Sequence, residues 1–163
     1  MRWRTRSRRG RSTASVSLTS LSDVQAVPKA AGESLGSRFE YVQNEYNLLA
    51  TGDARELIPY SAEHRLRYTA FSPLAGGFLT GKYRSGEEAP SGSRFAHAPE
   101  VCERYATEES FAAIERLRRL AEGRHETMAE AALRFVLDTP GVDGLIIAPR
   151  RIEHFASLGL APP

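Results

Sequence analysis

A short apolar run at residues 68–71 (Tyr-Thr-Ala-Phe) passes directly into Ser72-Pro73-Leu74-Ala75-Gly76-Gly77-Phe78-Leu79-Thr80-Gly81-Lys82. The run reads as a buried strand, and the stretch after it supplies a proline, three glycines and a lysine. Glycines let backbone come close to a ligand and leave N–H groups to face an anion, and the lysine adds a compact positive charge. At the carboxyl end of a strand this combination is a candidate phosphate site. Gly76, Gly81 and Lys82 also satisfy the G-x-x-x-x-G-K spacing of a nucleotide-triphosphate loop. Tyr83, however, stands where a Ser or Thr must hold magnesium, and Arg84-Ser85-Gly86 leads on to Pro90 where a helix should open. The triphosphate loop is therefore set aside, and a plain glycine-rich turn is the alternative that remains.

The aromatic residue followed by Ser-Pro-Leu-Ala-Gly-Gly-x-Leu-Thr-Gly-Lys-Tyr, residues 71–83, resembles the seventh-strand loop of the aldo-keto reductases. Gln43-Asn44-Glu45-Tyr46-Asn47-Leu48-Leu49 is similar to the sixth-strand end of the same family, and Ala148-Pro149-Arg150-Arg151-Ile152-Glu153-His154 to its Gly-Ala-Arg-Arg-Pro-Glu-His segment. The resemblance extends over about residues 16–160. Most members are NADP(H)-dependent oxidoreductases of aldehydes or ketones on a (β/α)8 barrel. A complete barrel takes ~250 residues, and this chain has 163. The resemblance thus implies an α/β fold that is a partial (β/α)8 TIM barrel, made of the C-terminal strands and helices only.

The same resemblance assigns site residues. Gln43 matches the residue that stacks on or hydrogen-bonds the nicotinamide, and Phe71 offers that ring a face. The backbone of Ser72, Pro73, Leu74, Ala75 and Gly76 matches the pyrophosphate loop, with Lys82 adding charge. Arg94, within Ser91-Gly92-Ser93-Arg94, matches an arginine that approaches the cofactor phosphates. Ala148 is the small residue that admits the backbone. Arg150 and Arg151 match the groups that meet the adenosine 2′-phosphate, a bidentate and permanently charged arrangement that prefers NADP to NAD. His154 faces the same site. Several positions depart from the pattern: Leu18 replaces an Asn that bonds the carboxamide, Pro149 removes a backbone donor, and Ser157-Leu158 stand where many members have Glu-Asn. The family's catalytic Tyr, Lys, Asp and His all come from the first half of the barrel. None of their surrounding motifs is in this sequence, so no catalytic residue is carried onto a position here.

Charge and cysteine content narrow the function classes. The net charge of +2 hides an asymmetry, because Arg2, Arg4, Arg6, Arg8, Arg9 and Arg11 have no acid among them. Without them 16 basic residues face 20 acidic ones, a net of −4, which offers no basic face to nucleic acid. Cys102 has no cysteine partner, no Cys/His cluster has metal spacing, and a reducing, cytoplasmic setting is expected. No apolar run approaches the ~18 residues of a membrane helix. Residues 1–15 read as a disordered Arg-rich segment with three possible origins: a targeting peptide, a polybasic tail, or upstream sequence translated from an unsuitable start. The last is preferred. Residues 16–163 form the family-like domain.

Strands are expected at residues 39–42, 68–71 and 144–147, alternating with helices as in a parallel α/β sheet. Ser20 caps a helix starting near Leu21. Asp53 with Glu56 has the sense of a capping box, with a helix ending near His64, where Arg65 replaces a family Gly. An irregular connection runs to about Arg104. Thr107 caps a helix whose apolar stripe is Phe111, Ile114, Leu117 and Ala121, ending at Gly123. Thr127-Met128-Ala129-Glu130 is a capping box for the next helix, with Met128, Ala131, Ala132, Phe135 and Val136 as its inner face. Cys102 reads as structural, and His64, His97 and His125 as solvated. Three strands leave two open edges and an exposed apolar inner face, so self-association is expected. By resemblance the function is an NADP(H)-dependent aldo-keto reductase-like oxidoreductase, present here as its cofactor-binding C-terminal portion. Such a chain meets a small carbonyl substrate only if the missing half is supplied. The alternatives are a non-catalytic NADP-binding or regulatory half barrel and a non-functional truncated product.

Overall fold

The computed structural model describes residues 4–8, 11–15, 22, 40–149 and 154. Its centre is a three-stranded parallel sheet of β3 (Tyr41–Glu45), β4 (Arg67–Phe71) and β5 (Val142–Leu145), in that spatial order. Tyr41 pairs with Arg67 and Glu45 with Phe71, and Thr69 pairs in turn with Gly144. Separate from it, β1 (Arg4–Arg8) and β2 (Arg11–Ser15) form an antiparallel ribbon in which Arg4 pairs with Ser15. Residues 1–15 were read as having no regular structure. Of the helix expected near Leu21, only Ser22 is described, and it is helical.

Helix α1 (Leu57–Glu63) joins β3 to β4. It ends at His64 with Arg65 left-handed at φ 57°, a conformation that a glycine at this position adopts without strain. The Asp53 cap does not form. Glu56 precedes the helix without a side-chain cap. The Asp53 carboxylate instead accepts hydrogen bonds from Tyr68 Oη at 2.6 Å and Asn44 Nδ2 at 2.8 Å. These two buried donors compete with the first turn for that carboxylate and win.

The connection after β4 is less irregular than its prolines and glycines suggest. It contains α2 (Arg94–His97), capped by Ser93 Oγ, and α3 (Pro99–Cys102). Pro99 starts the second turn, where its missing N–H costs nothing. Helix α4 (Glu108–Arg124) follows with Thr107 as its cap, and α5 (Met128–Leu137) leads to β5. Helix α4 runs past Gly123, and left-handed His125, φ 56°, ends it, with Glu126 N bonded back to Ala121 O. Strand β5 begins two residues before the expected run. Asp143 Oδ2 takes the Tyr68 N–H at 2.7 Å, where the ladder shifts register between Tyr68 and Thr69.

Two larger apolar clusters hold these elements, with a smaller one of Ala129 and Leu133 of α5 against Leu74 and Leu145. Val42, Tyr46, Tyr68 and Ala70 of the β3–β4 region pack against Leu57 and Ile58 of α1 and Val136 of α5. The second cluster gathers Ala75, Phe78, Leu79 and Tyr83 after β4 with Ile114 and Leu117 of α4 and Met128, Ala131 and Ala132 of α5. The other side of β3 and β4 carries the alternate residues Tyr41, Gln43, Glu45, Arg67, Thr69 and Phe71. That side is mostly polar, which corrects the expected apolar inner face. It also leaves the edges of β3 and β5, unpaired among the described residues, as the remaining route to self-association. No described helix is long and apolar enough to cross a membrane.

The capping box before α5 is complete, with Thr127 Oγ1 accepting from Glu130 N and Glu130 Oε2 accepting from Thr127 N at 2.7 Å. Thr127→Ala is expected to cost ~1 kcal/mol in urea unfolding at pH 7. The Thr127 backbone N–H, then its hydroxyl, hold the Glu130 carboxyl below its usual range. A depressed folded value stabilises above the unfolded value of about 4.3 and loses that stabilisation as pH falls through the folded one. The gap between wild type and Glu130→Ala, which removes the carboxylate, should therefore be full at pH 7 and narrow in acid. A gap independent of pH would exclude the carboxylate's part in the box.

Candidate functional site

The carboxyl ends of β3 and β4 carry Glu45 and Phe71 side by side in register. One step back on the same side, Gln43 stands opposite Thr69 and diagonal to Phe71, and its side chain is exposed. The β3–β4 pairing continues past the strands through Tyr46 N to Phe71 O at 3.3 Å and Asn47 Nδ2 to Ser72 O at 3.0 Å. Around half-buried Phe71 lies an open cavity of about 420 Å³, bounded also by Asn44, Glu45, Asp53 and Arg104.

Beyond Phe71 the chain turns sharply. Ser72 and Ala75 adopt φ 52° and 49°, and Gly76, Gly77 and Gly81 adopt 66°, 99° and 81°. The result is a tight 3-10 turn over Ala75–Thr80, kinked at Gly76 and Gly77. No helix opens at Lys82, which agrees with setting the triphosphate loop aside. Gly76 and Gly77 supply the left-handed angles that the turn requires, and neighbouring side chains close over them. A Cβ on Gly77 would lie 2.8 Å from both Cε and Nζ of Lys82, and one on Gly76 would lie 3.3 Å from Cys102 Sγ and 4.0 Å from Arg94 Cδ. The Lys82 ammonium and the Arg94 side chain thus fold against the bare backbone of the turn, and both residues are exposed to solvent. Burial pushes the Cys102 thiol up, Arg94 and Lys82 pull it down, and Glu100 and Arg104 act more weakly in opposite directions. The burial of Cys102 agrees with its structural reading. Among the described residues no group of His, Cys, Asp and Glu could hold a metal ion.

Two tyrosine–carboxylate pairs stiffen the walls. Glu45 Oε1 accepts from Tyr105 Oη and from Arg104 Nη2, the latter at 2.6 Å, which ties the connection after β4 back to the end of β3. Burial, then the hydrogen bond and charge of Glu45, push the Tyr105 phenol up to about 12, against smaller opposing effects of Asn47 and Arg104. Burial raises Tyr68 further, with the Asp53 bond and charge acting in the same direction. Neither phenol is tuned towards acid catalysis near neutral pH, since burial moves both further above it.

The structure therefore brings together Gly76, Lys82 and Arg94, and places Ser72, Pro73, Leu74 and Ala75 in the turn leading to them. Phe71 and Gln43 share the neighbouring sheet face. Ala148 is exposed beyond the end of β5, and His154 is exposed as well. Arg150 and Arg151, with Leu18, Ser157 and Leu158, lie outside the described residues. Sequence reading missed Glu45, Asn47, Asp53, Arg104 and Tyr105. Their partners lie up to 60 positions away, so no local spacing announces them.

With that geometry in place, comparison with known proteins defines the class. The family model described as "Aldo/keto reductase family" matches residues 12–158. The chain belongs to the aldo/keto reductase family of oxidoreductases. It is 32% identical over 112 residues to a probable voltage-gated potassium channel subunit beta of Arabidopsis thaliana, covering 67% of this chain and 34% of that protein. It is 31% identical over 112 residues to the uncharacterized oxidoreductase YrpG of Bacillus subtilis, covering 69% of this chain and 32% of that protein. It is also 31% identical over 117 residues to the L-glyceraldehyde 3-phosphate reductase of Escherichia coli K12, covering 69% and 33%. The glycerol dehydrogenase AKR11B4 from Gluconobacter oxydans shares the fold, with a TM-score of 0.65, 24% identity, and coverage of 88% of this chain and 41% of that one. The chain spans about a third of the length of the relatives it matches.

Proposed function

We propose that this chain is the cofactor-binding C-terminal portion of an aldo-keto reductase barrel, with its three parallel strands as part of a (β/α)8 arrangement and NADP(H) as its ligand. The observation that carries the reading is the packing of Lys82 and Arg94 against the Gly76–Gly77 turn at the carboxyl ends of β3 and β4. A left-handed glycine turn flanked by two exposed cations fits a pyrophosphate. When bound, the nicotinamide supplies a hydride for the reduction of a carbonyl. This chain's residues bind and orient: Phe71 offers an apolar face, Gln43 an amide, and the turn with Lys82 and Arg94 neutralises phosphate charge. Arg150, Arg151, Ala148 and His154 are assigned to the adenosine end by resemblance. By resemblance the acid that protonates a carbonyl comes from the first half of the barrel, whose motifs this sequence lacks, so a small aldehyde or ketone should react only where that half is supplied.

Titration calorimetry with NADPH and NADH tests this. Where this chain supplies only one wall of the cleft, a dissociation constant on the order of 0.1–1 mM is expected for NADPH. NADH should bind more weakly, and Arg150→Ala should remove the difference, because only NADPH carries the 2′-phosphate. Equal affinities left unchanged by the substitution would sink the NADP reading. The Arabidopsis relative, named as a channel subunit, favours a second reading, in which the chain binds nucleotide as a regulatory half barrel. Reduction of aldehydes that stays absent when a complementary barrel portion is added would favour that alternative.

A further inference from the structure

We propose that Asn47 is a positioning residue, whose side-chain amide acts as an extra rung of the β3–β4 ladder and holds the glycine turn in its ligand-facing shape. The inference rests on the reading of that turn as an anion site. The last backbone rung is Tyr46 N to Phe71 O at 3.3 Å, and the next is Asn47 Nδ2 to Ser72 O at 3.0 Å. A side chain thus replaces the backbone donor at the point where the strands diverge. Asn47 is itself fixed. It is fully buried, its Oδ1 accepts from Leu49 N at 2.9 Å, and its backbone exchanges two hydrogen bonds with Ala50 at 3.0 and 3.2 Å. A rotamer locked on both amide atoms makes a rigid bracket.

That bracket grips the strained part of the turn. Ser72 and Ala75 are both left-handed, a conformation that side chains with a Cβ disfavour. The Ser72 carbonyl also accepts from Ala75 N at 2.9 Å, so the atom Asn47 holds is the one that starts the turn. Gly77 N bonds Leu74 O at 2.8 Å one step further on, just before the backbone on which Lys82 folds. Loss of the amide would let Ser72 relax to an ordinary dihedral angle and swing residues 73–77 off the cations.

The test is hydrogen–deuterium exchange on the full chain, with NADPH titration beside it. Asn47→Ala should speed exchange at the Ala75 and Gly77 amides about tenfold, with Ile146, which bonds Ala70 O across β4–β5, unchanged. NADPH affinity should fall about tenfold in parallel. Adding Ser72→Gly should bring affinity back to within about threefold of wild type, because glycine adopts the left-handed angle unaided. Asn47→Asp, which keeps the acceptor for Leu49 and loses the donor for Ser72, should behave like Asn47→Ala. Exchange that is unchanged in the turn, or that rises equally at Ile146, would overturn the proposal, as would failure of both Asn47 variants to fold. If wild type binds no NADPH, the cofactor reading fails alone, because the exchange pattern still reports on the bracket.

Discussion

Phe78→Ala is expected to lower the unfolding free energy by about 3–5 kcal/mol, read from urea midpoints at constant slope. Phe78 lies within the glycine turn yet is fully buried, with ring centroids 4.5 Å from Tyr83, 5.5 Å from Phe95, 5.8 Å from Tyr105 and 6.1 Å from Phe111. These four rings come from the connection after β4 and from α4, so truncating Phe78 empties the point where three segments meet. Domains of this size have ~5–15 kcal/mol in total, and the loss is a large share of that. Leu120→Ala, at an exposed position of α4, should stay within ~0.5 kcal/mol. A Phe78 effect as small as that of Leu120 would mean that the turn packs independently of the cooperative core.

The placement of Phe78 shows what the sequence could and could not convey about the fold. Helices α4 and α5 were legible because their caps and apolar stripes are local. Thr107 and Thr127 precede Ile114, Leu117, Ala131 and Val136 at spacings that only a helix makes consistent. The strands were legible as apolar runs, but their edges moved by up to three residues. The start of β5 depends on Asp143 reaching the Tyr68 N–H, a partner 75 positions away. Asp53 misled for the same reason. Its spacing to Glu56 argues a cap, and nothing local reveals that Tyr68 and Asn44 will claim its carboxylate. Phe78, between Gly77 and Leu79, reads as a loop residue until α4 packs on it.

The site divides along the same line. The glycines and Lys82 could be read because the backbone chemistry of an anion turn leaves a mark on composition. Arg94 came from resemblance alone, and the structure lays its stem beside Gly76. The bracing residues were not legible. Asn47 acts on Ser72 and Glu45 on Tyr105 across 25 and 60 positions, and a buried Asn or a strand-end Glu has many ordinary uses. In this chain the groups proposed to meet a ligand are marked locally, whereas the groups that hold them in place are marked only by the fold.

That division leads to the strongest expected effect on binding, from removing both cations at the turn. Lys82→Ala with Arg94→Ala should weaken NADPH and NADH alike, by roughly ten- to a hundredfold. Each charged hydrogen bond to a phosphate contributes up to ~1.5–3 kcal/mol when dry. Lys82 and Arg94 are exposed, so screening holds the pair together to about the value of one such bond. The loss should be equal for both nucleotides because the pyrophosphate is common to them, whereas Arg150→Ala should act on NADPH only. Salt should give a second signature. Wild-type affinity should fall as ionic strength rises from ~0.05 to ~0.5 M, and the double variant should show a flatter dependence, having lost the charges that salt screens. Thermal melting should move little, since neither side chain lies in the core. Undiminished binding by the double variant, with the same salt slope as wild type, would place the nucleotide's phosphates somewhere other than the Gly76–Gly77 turn.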